Sequence, residues 1–466
     1  MSTLFTPTPR APLLLAGAAA AAASIWSGYR LYRAISADPS PNSPEIIPSP
    51  LKTLLPDLSK DEIENLPYPP DVYPGARDVE TPYSSIRVYE WGPEDGRKVL
   101  LVHGISMPSI TLAKVAERLV EQGCRVMLFD LFGRGYSSSP STLVHDIRLY
   151  TTQILLVLSS SPLSWTGSTT PPTPSPRFTL IGYSLGGCIA THFTATFPHL
   201  ISHLVLLAPA GLIRTTHLTI QSRLLYSNFG GLLPERFTEF LIARRLSSNS
   251  SPNPQTPAKS DIEAQNLDPW DNTTNNTHQP SIPYHAHRHR NRRTSHKERL
   301  PLPPSPPPDT TLFPSRPTVS VAGAVDWQIR HHAGFIPAFI SCIRHMPIHH
   351  QGPIYARIAR RLNSARANNN AWYDDPSPSS SASSEAEKRV SSDEEVKGPG
   401  LDGKVLVVLG SNDPIIIARE YREDVVDALG VRNVEVLEVD AGHEVPITGA
   451  ERIVEGIGGM WEGGWG

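Results

Sequence analysis

Phe178-Thr179-Leu180-Ile181-Gly182-Tyr183-Ser184-Leu185-Gly186-Gly187 is the stretch whose reading decides the fold. Phe178 to Ile181 is a short apolar run of the kind that fills a buried strand, and Gly187 to Ala195 continues as a helix. Between them stands a Gly-x-Ser-x-Gly turn. A tight strand-to-helix turn thrusts its serine out at the helix N-terminus, and Gly182 and Gly186 remove side chains where the two backbones crowd together. A serine hydroxyl is a poor nucleophile unless it stands exposed beside a base and beside donors for an oxyanion. Five such residues arise easily by chance, but a strand before them and a helix after them make Ser184 the candidate nucleophile.

Outward from this turn the chain alternates strand and helix. Ile86–Trp91 alternates like a half-buried strand, and Val99–Val102 is a continuous apolar run ending in His103-Gly104. Thr111–Glu121 has helical spacing closed by Gly123, Arg125–Phe129 is a strand ending at Asp130, and Leu149–Leu158 is helical. Leu204–Leu207, Lys404–Leu409 and Val434–Val439 complete the strands, and a last helix starts at Ala450. This rhythm predicts an α/β fold, a mostly parallel sheet with helices on both faces. The core is predicted over 76–211 and 401–466. The interruption at 212–372 reads as a helical cap, with helices within 212–246 and 326–362. Residues 247–317, rich in Pro, Ser, Asn and His, and the acidic, Ser-rich 373–400 lack periodicity. Neither can bury enough apolar surface to offset its ordering entropy, so both are expected to be disordered.

The base and its orienting acid should follow the nucleophile in the order Ser, Asp, His. Asp413 lies just past the strand Lys404–Leu409, and His443 just past Val434–Val439. Both sit at carboxyl ends of parallel strands, where open α/β sheets place their sites. Asp440 is a nearby carboxylate, but it precedes the histidine too closely to face it easily. An oxyanion would be received by the amide of Leu185, after the nucleophile, and by that of Ile105, in the loop His103-Gly104-Ile105-Ser106. Gly104 lets the backbone approach a substrate carbonyl, and His103 reads as structural. Ser106 contacts substrate or caps the next helix.

Leu101-Val102-His103-Gly104, Asp130-Leu131-Phe132-Gly133-Arg134-Gly135-Tyr136-Ser137, Gly182 to Gly187, Ala208-Pro209-Ala210-Gly211 and Ala441-Gly442-His443 together resemble the α/β-hydrolase superfamily. More narrowly, they resemble its capped branch of monoacylglycerol lipases, esterases and C–C bond hydrolases. The resemblance covers roughly 83–245 and 322–460. It implies an enzyme without cofactor or metal that cleaves a small-molecule or lipid ester by acyl transfer. Relatives that open epoxides or remove halides carry an aspartate at the elbow, so Ser184 argues against those chemistries. Thioesters, amides and C–C bonds would use the same triad. A non-catalytic binding protein on this fold is the rival class, and such proteins tend to lose a triad member, whereas all three positions here are usable. The resemblance implies a structural turn, with no catalytic role, for Asp130–Ser137. The cap insert, the long loop at 159–176 and the closeness of Glu444 and Pro446 to His443 depart from the family pattern, and they bear on the pocket more than on the triad.

Bulk properties exclude other classes. A formal net charge of −3 over 466 residues gives no global field to recruit nucleic acid. The basic, His-rich run His285–Arg293 lacks a Cys or carboxylate framework and reads as a solvated stretch. Three scattered cysteines make neither a disulfide framework nor a metal site. Pro12–Tyr29 is apolar and alanine-rich, with Arg10 before it and Arg30 and Arg33 behind. Residues 1–37 are expected to be a membrane anchor, with 38–75 a Pro- and Ser-rich linker and the catalytic domain cytosolic. A mitochondrial transit peptide and a secretory signal remain open; in the latter case Asn249, Asn272 and Asn275 match the glycosylation pattern.

Overall fold

A computed structural model describes residues 26, 28, 45–166, 177–214, 235–250, 312–313, 316–371, 401 and 403–463. The expected anchor and the two inserts lie outside the described residues for all or most of their length. No helix among the described residues is long and apolar enough to cross a membrane.

Eight strands form one sheet: β1 Ala76–Val79, β2 Ile86–Trp91, β3 Lys98–Val102, β4 Arg125–Phe129, β5 Phe178–Tyr183, β6 Ile201–Leu207, β7 Val405–Gly410 and β8 Val434–Val439. Their order is β8-β7-β6-β5-β3-β4-β2-β1. Strands β3 to β8 pair in parallel, and β2 and β1 are added antiparallel at one edge. Every residue of β5 and β7 is buried, as a parallel strand covered on both faces requires. The edge strand β1 alternates instead between exposed and half-buried positions. Helices α1 Ala113–Glu121, α2 Ile147–Ser159, α3 Leu185–Thr196, α4 Glu235–Ser250, α5 Val321–His331, α6 Phe335–His345, α7 Gly352–Ala371, α8 Ala418–Leu429 and α9 Ala450–Trp461 complete the long elements. Those flanking the sheet fall into two packed groups, α1 with α9 and the series α2, α3, α7, α8.

Two boundaries differ from the sequence reading. Residues 45–75, read as a linker, are packed on the domain. Tyr68 and Tyr73 are buried, and the Tyr68 hydroxyl donates to the Asp130 carboxylate at 3.0 Å. Ile46–Ile47 pairs antiparallel with Ser139–Pro140, and a Ser59–Glu62 capping box starts a short helix. Proline content averaged over the window conceals two aromatic anchors; an extended Pro-rich segment forfeits little backbone freedom when it docks. The cap is also shorter than 212–372. Helix α7 packs against α3 and α8 beside the sheet, with the Tyr355 and Tyr421 hydroxyls 2.7 Å apart. Among the described residues, the rest of the interval read as a cap holds α4, α5 and α6. Ile242 and Leu246 of α4 and Phe335, Ile336, Phe339 and Ile340 of α6 form its own apolar cluster.

Candidate active site

Parallel pairing sets the site, because the register brings the carboxyl ends of five strands to one edge. Val102 lies opposite Gly182, Tyr183 opposite Leu207, and Val439 opposite Gly410. Ser184, Asp413, His443 and the His103–Ser106 loop each follow one of those ends.

Ser184 follows β5 directly and begins α3 with φ 53°, a left-handed conformation that a side chain adopts only under strain. The surroundings hold it there. The Ser184 amide donates to Leu207 O at 2.9 Å, and its carbonyl accepts from the amides of Gly187 and Ala210, both at 2.9 Å. The crowding expected at the glycines is present: a Cβ on Gly182 would lie 2.3 Å from Gly186 O, and one on Gly186 2.1 Å from Val102 O. Backbone cannot yield there as a flexible side chain would.

The loops after β7 and β8 bring Asp413 and His443 to this serine. His443 Nε2 lies 2.9 Å from Ser184 Oγ, and His443 Nδ1 lies 2.7 Å from Asp413 Oδ2. The amides of Ile415 and Ile416 donate to the other oxygen, Asp413 Oδ1, at 2.8 and 2.9 Å, which fixes the carboxylate plane. With Nδ1–H directed at Asp413, Nε2 keeps a lone pair toward the serine hydroxyl. Asp413 and His443 are buried and Ser184 is half-buried. Asp440 is exposed and accepts from Asn412 Nδ2 at 2.9 Å. Tyr183, the variable residue of the turn, carries no sequence signal, yet its hydroxyl donates to His443 O at 3.0 Å and its ring lies 5.4 Å from the imidazole.

After β3, His103 is fully buried. Its Nδ1–H donates to Gly104 O at 2.8 Å, and its Nε2 accepts from the Leu131 amide at 2.8 Å, which together specify one neutral tautomer. Burial pulls its pKa down to about 3, so the ring stays uncharged at neutral pH. Gly104 stands against the nucleophile, since a Cβ there would lie 3.3 Å from Ser184 Cβ. Among the described residues, neither the Ile105 nor the Leu185 amide meets a protein acceptor. Nor does any cluster of three or more His, Cys, Asp or Glu among them suit a metal ion.

The sequence profile of the alpha/beta hydrolase fold family matches residues 98–450. A serine hydrolase-like protein of Danio rerio is 30% identical over 138 residues, 29% of this chain and 38% of the relative. One of Dictyostelium discoideum is 31% identical over 125 residues, 26% of this chain and 32% of the relative. The chain thus spans well under half the length of these relatives. Among solved structures, the enol-lactonase of Burkholderia xenovorans covers 83% of this chain and all of its own at 12% identity, with a TM-score of 0.46. A likeness at that level says nothing of activity.

Proposed function

Because the chain belongs to the alpha/beta hydrolase fold family and its curated relatives are serine hydrolase-like, we propose that it cleaves a carboxylic ester through an acyl-enzyme on Ser184. The observation that carries this reading is the continuous line from Ser184 Oγ to His443 Nε2 and from Nδ1 to Asp413, at 2.9 and 2.7 Å. His443 takes the hydroxyl proton as Ser184 Oγ bonds to the ester carbonyl carbon. The carbonyl oxygen becomes an oxyanion facing the Ile105 and Leu185 amides, while Asp413 steadies the imidazolium. Collapse breaks the bond to the alkoxy oxygen, which leaves as the alcohol with the proton held on Nε2. Water then repeats the sequence: His443 removes its proton, its oxygen attacks the acyl carbon, and the acid departs as Ser184 recovers its hydrogen.

An apolar acyl or alkyl group suits the cap, whose apolar cluster packs against the Ile105 side chain. A lipid-derived ester fits that surface. An N-terminal anchor over Pro12–Tyr29 would keep the domain beside such substrates, and retention with membranes through a carbonate wash tests it. The catalytic reading is tested with a fluorophosphonate probe and a panel of acyl glycerols, simple esters, thioesters and amides. The intact protein should be labelled and should turn over esters, whereas Ser184→Ala should do neither. Equal behaviour of the two proteins would remove the reading.

A further inference from the structure

Three consecutive carbonyls in the loop after β3 are each taken by a side-chain donor. Gly104 O accepts from His103 Nδ1–H at 2.8 Å, Ile105 O from Arg134 Nε–H at 3.1 Å, and Ser106 O from Gln328 Nε2–H at 3.2 Å. The Ile105 amide shares a peptide plane with the first carbonyl and precedes the second. Its direction is therefore fixed from both sides, while the amide itself stays free to donate.

The second and third donors lead to the cap. Gln328 lies on α5, and its Oε1 accepts from the Gly135 amide at 2.7 Å. Arg134 spends its remaining donors on Phe132 O at 3.0 Å, Tyr150 Oη at 2.8 Å and Cys342 Sγ of α6 at 3.2 Å. Both side chains are fully buried. A buried guanidinium whose acceptors are carbonyls, a phenol and a thiol gains no counter-charge, so its bonds fix geometry rather than form an ion pair. The Ile105 side chain packs independently against the apolar cluster between α4 and α6.

We propose that Arg134 and Gln328 are positioning residues for the Ile105 donor, and that through them the seating of α5 and α6 sets the rate of acyl transfer as well as access to the site. This rests on the role proposed for Ile105 in receiving the oxyanion. A cap that lifts withdraws Gln328 and Cys342 together: the loop loses its bond at Ser106 O, and Arg134, still held by Phe132 O and Tyr150 Oη, loses the partner that ties it to α6. A purely structural role predicts something different: lost stability with turnover intact.

Gln328→Met in the full chain keeps volume and removes both bonds. We expect kcat to fall about 10- to 100-fold, part of what loss of a whole oxyanion donor costs, with KM changed less than about threefold. The phosphorus resonance of the phosphonylated serine should shift as well. Val425→Ala, a fully buried position on α8, which packs on α7 and β8, serves as a destabilised control in which neither quantity moves. Should Gln328→Met fail to fold, Cys342→Ala should lower kcat several-fold, and Cys342→Ser, which keeps an acceptor for Arg134, should restore it. Unchanged kcat and resonance in Gln328→Met, or in Cys342→Ala, overturn the proposal. An intact wild-type chain that is neither labelled nor active removes the underlying reading and this one together.

Discussion

The two halves of the candidate site are held in different ways. On one side, Ser184, Asp413 and His443 sit within four residues of a strand end, so the sheet register and tight turns place them. On the other side, the His103–Ser106 loop also leaves a strand, but its Ile105 and Ser106 carbonyls are held by side chains distant in the chain, Arg134 being 29 residues from Ile105 and Gln328 222 residues from Ser106. Local covalent geometry guards the first half and tertiary hydrogen bonds guard the second. A substitution on the relay side should therefore damage chemistry with little harm to the fold. One on the loop side should disturb both, and chemistry less deeply.

The largest expected effect lies in the relay. Asp413→Asn can keep a carbonyl oxygen for the Ile415 and Ile416 amides, but it offers an amide where His443 Nδ1–H needs an acceptor. The histidine then adopts the wrong tautomer, and kcat should drop by about 10⁴-fold. His443→Ala should lose at least as much. Neither should move the thermal midpoint by more than a few degrees, which circular dichroism melts would check. If Asp413→Asn costs less turnover than Gln328→Met, the division between the halves fails.

Acid should expose the second half first. His103, His145 and His332 are buried, and burial lowers their pKa values to about 3, 3 and 4. His332 Nε2–H donates to Ser137 O at 2.8 Å and the His145 amide donates to Ser341 Oγ of α6 at 3.0 Å, so these two lie where the α5–α6 segment meets the rest of the domain, while His103 opens the loop that Gln328 bonds. Their folded pKa values lie below the unfolded value near 6.5. The unfolded chain therefore gains protons first as pH falls, and stability fully present above about 6.5 declines toward 4. Each group contributes a slope of about 1.4 kcal/mol per pH unit inside that window. Asp130, whose pKa burial raises, opposes the trend at its lower end. Urea unfolding across pH should show the slope, and His332→Asn should reduce it by close to one proton. An unaltered slope would mean that His332 is already charged in the folded protein.

Sequence makes the first half legible and leaves most of the second unread, for physical reasons. Strand-end residues announce themselves because an apolar run stops and a turn begins, and this carries Ser184, Asp413 and His443 to one edge. His103 is legible only as structural, since its partners, Gly104 O and the Leu131 amide, are backbone atoms with no signature. Gln328 carries no signal at all: one glutamine in a helix looks the same whether it faces solvent or a peptide carbonyl. Residues 45–75 mislead because composition weighs prolines equally with the two tyrosines that decide docking. Helix α8 escapes a reading by periodicity because its apolar side, Ala418, Tyr421, Val425 and Leu429, is diluted by eight other positions that are mostly charged.

Tyr183 crosses this division and gives the smallest effect. It belongs to the elbow by position, yet it acts as the distant residues of the loop side do, its hydroxyl donating to a carbonyl 260 residues away in sequence. Tyr183→Phe keeps the ring against the imidazole and removes one buried hydrogen bond, leaving His443 O unsatisfied. The stability cost should be about 1 to 2 kcal/mol. Turnover should fall by less than tenfold, because Asp413 and Ser184 still fix both ring nitrogens of His443. A loss of several hundredfold would mean that the relay also depends on a remote side-chain bond. The contrast would then lie between kinds of group, backbone against side chain, instead of between two sides of the site.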